Sequence, residues 1–193
     1  MGLEYVNRKN DRYFLLQGTT KSGKPKYYCS RKPKGQQMDA MPAGFEWREN
    51  PQNGIVSVRR KFVSRVTAAE QKFFEEQVRE LSGLSAVISD LEVDAIVVYT
   101  SDQSRHQAER LIEMLTERAA TPEKADWYMR HANYSPMLRF HLHDEEERLY
   151  TADRWCFRGS VDDWIFIGGP GPLASLVGKF APHLGEESFF ELY

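Results

Sequence analysis

The pattern of the chain changes at Thr67. Before it, apolar and charged residues alternate; after it, apolar residues recur at helical spacing. Thr67-Ala-Ala-Glu70 has the spacing of a capping box, in which a hydroxyl and a carboxylate each satisfy a free backbone amide. Phe74, Val78 and Leu81 follow on one helix face, and Gly83 supplies a stop. The order strand-rich, then helix–hairpin–helix–strands–helix, predicts an α+β protein rather than a parallel βαβ sheet.

The charge changes at the same place. Residues 1–65 hold 14 Lys/Arg and 5 Asp/Glu, a net +9, while residues 66–193 hold 12 and 23, a net −11. The whole-chain charge of −2 therefore hides two opposite parts, and such asymmetry points to an anionic partner for the basic one.

Before the switch, two hairpins are expected. Arg12–Gln17 and Lys26–Arg31 flank GTTKSGKP, with Ser22–Gly23 at the tip. Phe45–Glu49 and Ile55–Arg59 flank Asn50-Pro-Gln-Asn-Gly54, a turn preset by proline and Asn-Gly geometry. Together they make a small antiparallel β module over residues 1–65.

The remainder, residues 66–193, reads as an acidic α+β domain. A hairpin is expected from Ala86–Ser89 and Ala95–Tyr99. A helix then starts near Asp102 or Ser104, with the stripe Ala108, Leu111, Ile112, Leu115 and Ala119. Thr121-Pro122 opens a connector. Antiparallel strands follow at Met137–His143, Arg148–Phe157 and Val161–Ile167. Gly168-Gly-Pro-Gly-Pro172 breaks the chain before a last helix over Leu173–Leu184. Glu70, Glu75, Glu76 and Glu80, with Glu109, Glu113 and Glu117, form acidic helix faces that repel nucleic acid. The tail Ser188-Phe-Phe-Glu-Leu-Tyr193 packs on its own core or on a neighbouring subunit.

Tyr5-Val-Asn-Arg-Lys9 followed by Thr20-Lys-Ser-Gly-Lys-Pro-Lys-Tyr-Tyr28 resembles the opening of a group of uncharacterised bacterial proteins. The similarity extends to Arg154–Trp164. The resemblance implies a bacterial, cytosolic origin and carries no activity with it.

No apolar run is long enough to span a bilayer, and the start is polar rather than secretory. A cytoplasmic protein is expected, with Cys29 and Cys156 reduced. The lysines around Cys29 favour a thiolate there, against the plainer reading of a small strand residue.

The strongest functional signal is the basic module. Arg12, Lys21, Lys24, Lys26, Arg31, Lys32 and Lys34 are candidates for phosphate contacts. Tyr27 or Tyr28 is a candidate for stacking on an unpaired base; as neighbours on a strand they face opposite sides. The competing reading is that the aromatics are core and the lysines a solvated face, or that the lysines dock on the acidic half.

His141-Leu-His143 is the best metal candidate, since residues two apart on a strand share a face. Register argues against it. With Glu145-Glu146 as the hairpin tip, His143 lies opposite Arg148 and His141 opposite Tyr150, while Leu149 joins Leu138, Phe140 and Leu142 on the buried side. Cations beside the imidazoles oppose metal binding, and a third view keeps this His–Arg–Tyr face as an anion or partner surface, which Arg154 extends. The glycine-proline run lacks the Lys-Ser/Thr of a P-loop, and its prolines remove amide donors. No cofactor or metal is expected.

The first functional reading is a noncatalytic adaptor whose basic β module contacts nucleic acid. The second is a protein-interaction or homo-oligomeric assembly module pairing its opposite charge halves. The third is a metal-dependent enzyme at His141 and His143.

Overall fold

The computed structural model describes residues 2–84, 86–101, 104–157, 159 and 162–193. It is an α+β protein whose strands pair antiparallel throughout. Strands β1 (Glu4–Val6), β2 (Arg12–Thr19) and β3 (Pro25–Ser30) form one sheet, and the short β4 (Gln36–Gln37) pairs with β2 beside β1. Strands β5 (Phe45–Glu49) and β6 (Val56–Arg60) form a separate hairpin. Tyr5 packs on Trp47 and Tyr27 on Phe45, so aromatic contacts join that hairpin to the first sheet.

Helix α1 (Ala68–Ser82) begins with the capping box, both halves of which form, and ends at Gly83 in the left-handed region, φ 65°. Phe74 and Val78 are buried, whereas Leu81 is at the exposed rim. Strands β7 (Val87–Leu91), β8 (Ala95–Ser101), β9 (Tyr134–Asp144), β10 (Leu149–Cys156) and β11 (Asp163–Pro172) follow. They form a second sheet in the order β11-β10-β9-β8-β7. One face carries Ile96, Val98, Leu138, Phe140, Leu142, Tyr150 and Ala152. Against it pack α1 and α4 (Leu173–Phe180), followed by a short 3₁₀ turn at Ala181–His183. From the tail, Phe189 enters this core, and the Leu192 carbonyl accepts from buried Arg154.

The structure corrects four expectations. Thr121-Pro122 opens a helix, α3 (Pro122–His131), rather than a connector. Proline at the first turn is ordinary there, because its missing amide would have had no intrahelical partner. Helix α2 (Arg105–Thr116) is capped by Ser104 and stops before Ala119; Asp102 lies outside the described residues. It buries Ala108 and Ile112 but leaves Met114 and Leu115 exposed.

Gly168–Pro172 does not break the chain but continues β11, whose expected start at Val161 lies outside the described residues. An edge strand tolerates prolines, since β11 pairs only with β10. The glycines allow close approach. A Cβ at Gly169, φ 110°, would sit 2.7 Å from the Tyr150 carbonyl oxygen, and one at Gly168 would sit 2.9 Å from the Phe180 ring. The run is therefore a packing device rather than an anion cradle.

The β9–β10 turn spans Glu145–Arg148, not two residues. Asp144 Oδ1 accepts from the amides of Glu146 and Glu147, both at 2.9 Å, and Arg148 is left-handed at φ 52°. Tyr150 therefore pairs with Leu142 and His141 with Thr151. Tyr150, not Leu149, is fully buried.

Candidate nucleic-acid interface

The β2–β3 hairpin positions most of the candidate cations. Its register runs from Phe14 opposite Ser30 to Thr19 opposite Pro25. The Thr20 amide donates to the Lys24 carbonyl at 2.8 Å, and the Thr20 hydroxyl does so at 3.0 Å. Gly23 takes φ 79°, so the tip closes on a residue without a Cβ. Lys21 and Lys24 project from this tip, Lys26 from β3, and Lys32 and Lys34 from the segment after β3. All five are exposed, and among the described residues none forms an ion pair. They bracket a strand that is about 20 Å long, roughly six base-pair steps.

The arginines behave differently. Arg12 pairs with Glu4 at 3.2 Å and Arg31 with Asp11 at 3.6 Å, both with guanidiniums largely in solvent. Two others from the basic part dock on the acidic part. Arg48 bonds Asp90 on β7, and Arg65 reaches Asp94 at 2.8 Å and Glu145 at 3.7 Å. Burial still pushes the Asp90 carboxyl up, and the neighbouring Arg48 offsets this only in part. The charge halves thus meet through arginines, while these five lysines have no carboxylate partner among the described residues. Composition alone could not have separated these two roles, because it counts both residue types equally.

The tyrosines divide as strand alternation requires. Tyr27 lies edge-on to Phe45, with ring centroids 4.9 Å apart, and is committed to packing. Tyr28 lies on the opposite face with Lys26 and Leu16. Its ring edge is 3.3 Å from where a Gly18 Cβ would be, and its hydroxyl is equally close to that of Gly35. Tyr28 is therefore the aromatic beside the lysines. The Cys29 thiol donates to the Val56 carbonyl at 2.9 Å, and burial pushes its pKa up, opposite to the thiolate expected from nearby lysines.

His141 Nε2 lies 3.3 Å from Asp94 Oδ2, the same oxygen that Arg65 engages, and His143 is exposed. Among the described residues, no three His, Cys, Asp or Glu side chains gather as metal ligands. Arg154 is buried and bonded to the tail rather than extending an exposed His–Arg–Tyr face. Of the α1 carboxylates expected on a free acidic surface, Glu70 bonds Arg148 and Glu75 accepts from Ser89. No helix among the described residues is long and apolar enough to cross a membrane. Comparison with protein-family models, curated proteins and solved structures finds no match for the chain.

Proposed function

We propose that the lysine surface of the β2–β3 hairpin binds the phosphate backbone of nucleic acid, and that the protein is a noncatalytic adaptor. The observation that carries this reading is that Lys21, Lys24, Lys26, Lys32 and Lys34 are all exposed and none is taken up by a carboxylate among the described residues, although residues 66–193 carry a net −11. Free ammonium groups release counterions from phosphates, a contact that is sequence-independent and steeply salt-dependent. Tyr28 adds one stacking surface for a single strand.

The test is fluorescence anisotropy of labelled single-stranded and duplex oligonucleotides with the full chain, across a salt series. Five phosphate contacts give a log–log slope of about −4.5 on duplex, so raising salt from about 50 to 200 mM weakens binding about 500-fold. Replacing all five lysines by glutamine should flatten the slope. A slope near zero in the natural chain, or the same slope in the variant, refutes the proposal.

Assembly of like copies is the second reading, favoured by charge complementarity. The lysines of one copy match Glu113 on α2 and Glu117 just after it on another, beside exposed Leu115, Met114 and Trp127. It predicts that mass measured by light scattering rises with concentration and falls with salt, and that Leu115→Asp abolishes the rise. A constant monomer mass at low salt removes this reading.

A further inference from the structure

A cleft of about 630 Å³ opens where the N-terminal part meets β7, α2 and α3. That volume is in the range of small-molecule sites. Three guanidiniums line it, from three separate elements: Arg8 on the β1–β2 turn, Arg105 at the start of α2 and Arg130 near the end of α3. Between them the wall is apolar, built from Ala86, Ile88 and Met129.

The three arginines are not equivalent. Arg8 is fixed. Its Nη1 donates to Glu49 and to the Asn50 carbonyl, both at 3.0 Å, and its Nη2 to the Pro51 carbonyl at 2.8 Å. Its guanidinium lies 5.2 Å from the centroid of the Tyr134 ring, and its buried Nε has no partner. Arg105 is shared between Asp126 at 2.6 Å and Glu109 at 3.2 Å. It is the first residue of α2, where the helix dipole favours an anion. Among the described residues Arg130 makes one bond, from Nε to the Asp126 carbonyl, and has no carboxylate partner. The cleft therefore holds one uncompensated cation and a second whose partner, Asp126, stands at the same wall.

We propose that this cleft binds a small phosphate monoester whose body presents an apolar face. The terminal nitrogens of Arg130 suit the phosphate oxygens bidentately, and Arg105, whose Nε and Nη1 are held by Glu109 and Asp126, adds its Nη2. The wall of Ile88, Met129 and Ala86 receives the body. Asp126 competes with the ligand for Arg105, so it acts as a brake on binding. The site is independent of the lysine surface, which lies on β2–β3.

Isothermal titration of the full chain at low salt tests this, with adenosine 5′-monophosphate, adenosine and inorganic phosphate as probes. The monophosphate should saturate below about 1 mM, and each fragment alone should bind about tenfold more weakly. Arg130→Ala and Arg105→Ala should each weaken the monophosphate about tenfold. Asp126→Asn should tighten it severalfold by releasing Arg105 Nη1, with Glu109 still on Nε. The five-lysine variant should bind the monophosphate as the natural chain does, and Arg130→Ala should leave the oligonucleotide salt slope unchanged. The proposal is overturned by no saturation below about 1 mM, by undiminished binding in both arginine variants, or by weaker binding in Asp126→Asn. Loss of monophosphate binding in the five-lysine variant would assign it to the hairpin and overturn the cleft as well.

Discussion

Replacing Phe140 by alanine is expected to destabilise the protein by about 4 kcal/mol, the upper range for truncating a buried aromatic. Phe140 has no exposed surface and lies in the middle of the second sheet, on β9. Its ring meets Phe74 of α1 edge to face, with centroids 5.2 Å apart and planes at 69°. The truncation therefore opens a cavity at the seam where helix and sheet are held together. At this chain length the loss corresponds to a fall in melting temperature of about 8–16 °C. Urea denaturation should show a lower midpoint with an unchanged m-value, since the same surface is exposed on unfolding. Phe74→Ala should cost about as much, and the double variant less than the sum by about 1 kcal/mol, which is the ring–ring contact itself. A cost below about 1.5 kcal/mol would mean that α1 does not pack on this face.

That seam was legible in the sequence because its determinants are local. Thr67 and Glu70 are three residues apart, Phe74 and Val78 are one turn apart, and the turn at Asn50–Gly54 is set by its own residues. The elements misread are those governed by partners distant in sequence. Glycine and proline at Gly168–Pro172 signal a break in isolation; they form a strand because β10 and Phe180 need a chain that can lie close. Helix α3 buries only Ala125 completely, so its apolar period is faint. Its signals were at its ends instead: proline at the first turn, Glu123 beside it, and Arg130 with His131 at the end.

The candidate site divides in the same way. Exposed lysines at a hairpin tip follow from the turn chemistry of Thr20–Lys24, which the sequence displays. The separation of Arg48 and Arg65 from those lysines does not, because it depends on Asp90 and Asp94 being brought within reach by folding. The cleft was equally invisible, since Arg8, Arg105 and Arg130 belong to three elements and no spacing connects them. Arg148 meets a partner of the same kind, a carboxylate 78 residues away at Glu70.

Arg148→Ala is accordingly expected to cost about 2–3 kcal/mol at neutral pH, and to do so with a characteristic acid profile. The arginine Nε donates to Glu70 Oε1 at 2.9 Å, and Nη2 bonds the other carboxylate oxygen. Both terminal nitrogens also reach the Arg65 carbonyl at 3.3 Å, and Nη2 lies 3.1 Å from the Tyr150 hydroxyl. Burial alone would raise the Glu70 carboxyl, but bonds from Arg148, from the Thr67 amide and hydroxyl, and from Tyr150 outweigh it and bring the pKa from 4.5 to about 2. Burial, reinforced by Glu70, pushes the Tyr150 hydroxyl upward, so that group stays protonated as a donor. Because the folded-state pKa of Glu70 lies below its unfolded value, the associated stability is fully present above pH 4.5. It is lost as pH falls from there towards 2, where the carboxyl protonates in the folded state too. A third of the Arg148 side chain remains exposed, and solvent screening there keeps the cost below the full linkage value. In Arg148→Ala the Glu70 pKa rises, so the acid loss should be shallower and the two proteins should converge in stability near pH 2. Urea titrations at pH 7, 4 and 2.5 measure this directly. A gap between natural chain and variant that stays constant down to pH 2.5 would assign the loss to packing of the arginine stem and not to its pairing with Glu70.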